Sequence, residues 1–116
     1  MAASHFKLSN LCAIVDANEY QIDGRVDSVM KVEPIAKRFE SFGWQTLEIN
    51  GHDFSQIIKA FELFTSRTDS RPLVIVARTV KGKGVSFMEN TEKWHGKAPN
   101  PDEYRAAKKE LSGGAA

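Results

Sequence analysis

The chain has 116 residues, enough for one domain with one core. Hydrophobic residues make up 41% and charged residues 27%, which fits a soluble globular protein and excludes a disordered one. Sixteen basic residues against fifteen acidic give a formal charge of +1, so the balance predicts no general attraction to nucleic acid or membrane.

The single cysteine, Cys12, rules out an intrachain disulfide and points to a reducing, cytoplasmic compartment. It lies between Leu11 and Ala13, where a buried, inert thiol is expected. Residues 1–10 contain no long apolar stretch and read as neither signal peptide nor membrane anchor. No other segment approaches the ~20 apolar residues of a membrane-spanning helix.

Residues 2–8 read as the last turns of a helix that stops at Ser9 and Asn10. Residues 11–16 form a short apolar run with β-branched Ile14 and Val15, expected as a strand buried on both faces. Residues 18–24 are loop, with Asp23-Gly24 as the turn signal. Pro34 after Glu33 opens a helix in its first turn. Ile35, Arg38/Phe39 and Phe42 mark its stripe, and Gly43 ends it. Residues 44–50 read as a second strand.

Asp53 is a good N-cap for the next helix, whose buried face is expected at Ile57, Ile58, Phe61 and Phe64. Residues 66–71 are polar loop, and residues 73–80 are apolar enough for a central parallel strand. Residues 81–101 show no periodicity and hold three glycines, two prolines, Trp94 and His95. Long irregular segments of that kind are usually functional or disordered. Residues 102–111 read as a terminal helix and residues 112–116 as a flexible tail. The alternation implies an α/β fold: a parallel sheet of about three strands covered by helices. The loops after Asp16, Asn50 and Val80 then share one sheet edge, where such folds place ligands.

Asp16 and Asn18 stand just past a strand. Their oxygens suit Mg²⁺, and equally suit an Asx turn that satisfies its own backbone. Lys81-Gly82-Lys83-Gly84 offers glycines that let backbone approach an anion and two ammonium groups to meet it, although such turns are commonly just solvated. His95 is a titratable group in an irregular segment, while His5 and His52 have no comparable context. No paired Cys and His, Gly-x-Ser-x-Gly or Walker-type loop is present.

Taken together and in order, three motifs resemble the transketolases, and specifically the later part of their separately encoded N-terminal section. They are Asp16 and Asn18 with Gln21-Ile22-Asp23-Gly24; Lys81-Gly82-Lys83-Gly84 followed by Val85-Ser86-Phe87-Met88-Glu89-Asn90; and Trp94-His95-Gly96-Lys97-Ala98-Pro99. The resemblance spans residues 2–111, a partial diphosphate-binding domain.

It implies thiamine diphosphate held through Mg²⁺ (or Ca²⁺), and transfer of two-carbon ketol units between sugar phosphates of the pentose phosphate type. By match, Asn18 and the main-chain carbonyl of Tyr20 bind the metal. Ile22 lies against the cofactor, Asp16 anchors the floor of the site, and Lys81 meets the diphosphate side. His95 faces the reacting centre as a proton donor or substrate hydrogen bond. The opening Gly-Asp-Gly of the family's motif does not occur in these residues, nor does the pyrimidine-binding domain.

That leaves room for a homo-oligomer or a companion transketolase subunit, and for a non-catalytic module that pairs with itself or with such a subunit. A related thiamine enzyme, the synthase of deoxyxylulose phosphate, shares a similar Gly-Lys-Gly region.

Overall fold

The computed structural model describes residues 1–113. The chain forms two compact units. One comprises residues 1–17 and 32–79, and the other residues 18–31 and 80 onward. One core was expected from length. Two units form because the chain leaves the sheet after Ala17, returns at Val32, and leaves again after Thr79.

The first unit is the parallel sheet and its helices. It contains α1 (Ala2–His5), β1 (Cys12–Ala17), α3 (Ile35–Ser41), β4 (Gln45–Asn50), α4 (Phe54–Ser66) and β5 (Leu73–Arg78). The second holds the antiparallel pair β2 (Tyr20–Gln21) and β3 (Gly24–Arg25), then α2 (Val26–Val29), a 3₁₀ turn at Glu92–Trp94 and α5 (Pro101–Gly113).

Strand β5 is central, in the order β1-β5-β4. Its Leu73, Val74, Ile75 and Val76 are almost wholly buried, which suits a β-branched run covered on both faces. Each such side chain contributes roughly 1.5–3 kcal/mol by leaving water. Val74 and Val76 face Ala36, Trp44 and Ala17, with Ile35 and Phe39 of α3 packed alongside. Leu73 and Ile75 face Ala60 of α4, with Leu47, Ile49 and Phe64.

The register pairs Ala17 with Arg78 and Asn50 with Arg78, so all three strands end level on one edge. That edge was expected from the alternation of elements. At its opposite end Arg67 gathers the chain. Its guanidinium donates to Ser9 O, Arg71 O and Gln45 Oε1 at 2.6, 2.6 and 3.0 Å.

Several expectations change in the structure. Strand β1 is an edge strand rather than one buried on both faces, and Ile14 is 58% exposed. An apolar run does not by itself fix how many faces of a strand are covered. In α4 the buried centre is Ala60, at 1% exposure, while Ile58 and Phe61 are exposed. The small residue lets the helix approach β5, and its large neighbours fall to either side. Phe42 is likewise exposed, just past the end of α3.

Pro34 is the N-cap of α3 rather than a first-turn residue, and Trp44 precedes β4 as a buried core residue. Gly43 ends the helix as expected, at φ +82°. The Asp53 cap is also as expected, accepting from the N–H groups of Ser55 and Gln56 at 2.9 and 3.2 Å.

Helix α1 is short, covering only Ala2–His5. Cys12 is half-buried, and burial raises its thiol pKa against a smaller opposing pull from Arg67, as an inert thiol requires. Helix α5 begins one residue earlier than expected and runs through Gly113, so Ser112 and Gly113 are helical. The rest of the expected tail, residues 114–116, lies outside the described residues. No helix among the described residues is long and apolar enough to cross a membrane.

Candidate functional site

In the first unit, Asp16 projects from β1 and is exposed. Its Oδ1 accepts the hydroxyl proton of Thr79, the residue after β5. Thr79 N–H also donates to Ala17 O at 3.4 Å, which continues the β1–β5 ladder one step past its last registered pair. Gly51, after β4, donates to Arg78 O at 2.8 Å. A Cβ at Gly51 would come within 2.5 Å of Thr79 Cγ2. Only glycine allows the chain to pass that close.

Beside this, Arg78 bridges two carboxylates, Glu33 and Glu48, with Nη2 2.8 Å from Glu48 Oε2. Arg78 foremost, with a lesser contribution from the Ile35 amide, holds the Glu33 carboxyl below the usual range, against a partial desolvation that raises it.

In the second unit, Asn18 opens a tight hairpin. Its Oδ1 accepts the Tyr20 N–H at 2.9 Å, and Glu19 between them sits at φ +66°. This is the Asx turn that the sequence left open beside the metal reading. The two readings are compatible, since an amide oxygen has two lone pairs and the turn uses one.

Tyr20 and Gln21 pair with Arg25 and Gly24, leaving Ile22 and Asp23 as the two-residue turn. Gly24 at φ +145° closes it. Ile22 is 66% exposed, an apolar side chain at a hairpin tip. Glu19, Arg25 and Asp27 form exposed ion pairs at 3.2 and 3.3 Å, worth little by themselves.

The glycine loop is built by its own backbone. Lys81 O accepts the Asn90 N–H at 3.0 Å, and Asn90 sits at φ +53°. Gly82 at φ +74° is obligatory, because a Cβ there would lie 2.2 Å from Met88 O. Gly84 N–H donates to Glu89 Oε1 at 3.0 Å, and Lys83 Nζ lies 3.6 Å from the same carboxylate. No carboxylate lies within ion-pair distance of Lys81 among the described residues. Of the two ammonium groups in the motif, Lys83 is the one in an ion pair among the described residues.

His95 follows the 3₁₀ turn and is exposed, with its N–H donating to Glu92 O at 2.9 Å. Its neighbour anchors the segment. Trp94 Nε1 donates to Phe87 O at 3.1 Å, and the Phe87 and Trp94 rings lie 5.5 Å apart. Lys97 Nζ sits 4.5 Å over the Trp94 ring. Asn100 then caps α5, accepting from Asp102 and Glu103 N–H groups at 2.9 Å each. Glu103 reaches back to the Asn100 N–H at 2.7 Å, a reciprocal capping box with Pro101 at the first helical position.

Within this unit the structure joins Asn18, Tyr20 and Lys81. The Tyr20 hydroxyl donates to Asn90 O at 2.5 Å, and Asn90 N–H holds Lys81 O. The residues that sequence reasoning missed are Thr79 and Asn90. Thr79 leaves no local signal. Asn90 carries a weak one, since asparagine tolerates left-handed backbone.

The donor set tests the metal reading. No group of three or more His, Cys, Asp or Glu among the described residues is placed to hold a metal ion. Asn18 Oδ1 and the Tyr20 carbonyl are hard oxygens and fit Mg²⁺ or Ca²⁺ rather than a soft metal. They supply two of about six ligands, which leaves places for phosphate oxygens and water.

Comparison with known proteins gives a consistent result. The family described as transketolase, thiamine diphosphate binding domain, matches residues 1–114. One of the subunits of the apulose-4-phosphate transketolase of Phocaeicola vulgatus is 41% identical over 112 residues, which cover 97% of this chain and 40% of that protein. A 6-deoxy-6-sulfo-D-fructose transketolase subunit of Clostridium is 34% identical over 111 residues, again spanning 40% of its length. The crystal structure of a Campylobacter jejuni transketolase superposes with a TM-score of 0.86 at 33% identity. It covers 96% of this chain and 17% of that one. The chain thus spans about two fifths of the subunit-type relatives.

Proposed function

The chain belongs to the transketolase thiamine diphosphate binding domain family, and from that premise we propose that it holds the diphosphate end of thiamine diphosphate through Mg²⁺. The parent activity on this reading is transfer of two-carbon ketol units between sugar phosphates. The observation that carries it is the hydrogen-bonded link between the hairpin holding Asn18 and Tyr20 and the glycine loop holding Lys81. It joins two oxygen donors and one ammonium group, the chemistry that a metal-bound diphosphate requires.

Asn18 Oδ1 and the Tyr20 carbonyl hold the metal. Lys81 offsets diphosphate charge, and Ile22 at the hairpin tip gives the cofactor an apolar contact. Asp16, fixed by Thr79, anchors the end of β1. When bound, thiamine diphosphate supplies the electron sink for breaking a ketose carbon–carbon bond. His95, exposed, holds or moves a proton at a sugar hydroxyl.

A second reading has its own observation. The chain spans 40% of relatives that are themselves named as subunits. On that reading it is an interaction module, completed by a second copy or by a companion transketolase subunit. The exposed Ile14 of edge strand β1 and the exposed Phe61 of α4 supply apolar surface for such pairing.

Calorimetry of the purified chain with thiamine diphosphate, with and without Mg²⁺, tests the first reading. A ketol-transfer assay on xylulose 5-phosphate and ribose 5-phosphate then separates binding from turnover. Mg²⁺-dependent binding supports the site. Its absence overturns it and leaves the interaction module. Sedimentation at tens of micromolar should show self-association, and a strictly monomeric chain would count against homo-oligomer formation.

A further inference from the structure

The Tyr20 phenol reaches across 70 residues of sequence to the backbone of Asn90. Nothing local requires it to. Tyr20 N–H is already used by Asn18 Oδ1, and the Tyr20 backbone is fixed by pairing with Arg25. The Arg25 guanidinium sits 5.8 Å from the Tyr20 ring centroid, so the ring is also held from the side. At the other end, Asn90 occupies left-handed backbone at φ +53°. In that conformation its N–H bonds Lys81 O at 3.0 Å while its carbonyl receives the Tyr20 hydroxyl. Three hydrogen bonds therefore run in series: Asn18 to Tyr20, Tyr20 to Asn90, and Asn90 to Lys81.

We infer that Tyr20 is a positioning residue whose hydroxyl couples the metal-holding hairpin to the diphosphate-holding loop. This rests on the reading that Asn18 and the Tyr20 carbonyl hold the metal and Lys81 the diphosphate. Metal and diphosphate share oxygen ligands, so their two protein holders must keep a fixed spacing. Covalent connection does not set that spacing, because residues 20 and 81 lie far apart in sequence. Within this unit, the Tyr20–Asn90 bond does. A phenylalanine at this position would keep the ring under Arg25 and the main-chain carbonyl, and lose the hydroxyl's bond to Asn90 together with its interaction with the Arg25 guanidinium, which does not reach Lys81. The loop holding Lys81 would then sample positions that meet the diphosphate poorly, while the metal ligands stay in place.

The test is a double-mutant cycle on the full chain with thiamine diphosphate and saturating Mg²⁺, read by calorimetry. Tyr20→Phe should raise the dissociation constant about threefold to tenfold, the range set by one hydrogen bond. In a Lys81→Ala background the same change should raise it less than about twofold, because the tether then has no ammonium group to position. Amide exchange in residues 81–90 of the free chain should be faster in Tyr20→Phe, with residues 12–17 unchanged. Tyr104→Phe, on α5 and 57% exposed, is the matched control and should bind as wild type does.

If the Tyr20 and Lys81 effects are additive, Tyr20 serves general stability and the inference fails. It fails equally if Tyr20→Phe lowers the melting temperature while affinity is unchanged. If wild type itself shows no Mg²⁺-dependent binding, the underlying site assignment fails and takes this inference with it. That outcome is distinct from wild-type binding with a silent Tyr20→Phe.

Discussion

Thr79, one residue past the last registered pair of β1 and β5, donates its hydroxyl proton back to Asp16 Oδ1. Both strands leave the sheet at this point, so the bond closes the end of β1, which among the described residues has a hydrogen-bonded neighbour strand on one side only. Thr79→Val keeps the shape and removes the donor. The exposed Asp16 carboxylate can then turn to water, so the cost should be about 0.5–1.5 kcal/mol rather than the larger penalty of an orphaned buried group. Thr79→Ser should recover most of it. Urea unfolding measures both, and a valine variant as stable as wild type would show that the bond contributes nothing net.

The ion pair of Glu33 with Arg78 predicts a pH effect. The Glu33 carboxyl is held below its ordinary value of 4.5, chiefly by Arg78. A carboxyl depressed in the folded state stabilises the fold above its unfolded pKa. That stability is lost as pH falls through the folded value. Wild type should therefore exceed Glu33→Gln in stability near neutral pH, and the gap should close below 4.5. Both partners are about two-fifths exposed, so the gap should be small. Urea midpoints for the pair of proteins across that range decide it. A gap that widens on acidification would reverse the assignment.

What the sequence made legible was what local chemistry or periodicity encodes. Leu73 to Val76 announce a doubly covered strand, Asp53 a cap and Gly43 a helix end, and each stands as expected. The Asn100 cap was not read from the sequence, although Asn-Pro-x-Glu spells a capping box with proline at the first helical position. Periodicity alone set the helix start one residue late. The exposed Ile14 was not legible, because an apolar run does not fix how many faces of a strand are covered. Nor were the contacts of Thr79 with Asp16 and of Tyr20 with Asn90, which span 63 and 70 residues and follow no local rule. At the site, residue types and order came from motifs, whereas their linkage came only from tertiary structure.

Gly82 should be intolerant of any side chain. A Cβ there meets the Met88 carbonyl at 2.2 Å, and φ is +74°. Backbone rather than a flexible side chain is in the way, so the loop must move. Gly82→Ala should cost roughly 1–3 kcal/mol, as strained backbone does, and weaken cofactor binding through Lys81. Gly96→Ala, where an added Cβ meets nothing within 4 Å, is the steric control for stability. Thermal unfolding separates the two. Equal melting temperatures would mean that the loop has room the structure does not show.

Asn18 and Asp23 flank the same hairpin and should differ in effect. Asn18 offers Oδ1 beside the Tyr20 N–H, whereas Asp23 sits in the two-residue turn. If Asn18 is the metal ligand, Asn18→Ala should weaken Mg²⁺-dependent binding of thiamine diphosphate more than Asp23→Ala. It also loses the Asx turn, so binding without Mg²⁺ must be measured beside it. A purely structural loss would weaken both measurements alike. Equal effects of the two variants, or no Mg²⁺ dependence in wild type, would sink the ligand assignment.

His95 should act on turnover and not on holding the cofactor. It is exposed and follows a segment anchored by Trp94 on Phe87, and an imidazole is a common general acid or base. A general acid or base, when removed, typically lowers rate by ~10²–10⁴. In an assembly that transfers ketol units, His95→Ala should lower kcat by a factor of that order while the cofactor dissociation constant changes little. His52→Ala, in the turn before α4, should change neither. The split between kcat and affinity is the informative measurement, because a disordered loop would damage both. If the assembled protein is active and His95→Ala is neutral, another group handles the proton and the role carried over to His95 is wrong. If no assembly containing this chain transfers ketol units above a cofactor-only blank, the interaction module is the better reading, and His95 has no reaction to serve.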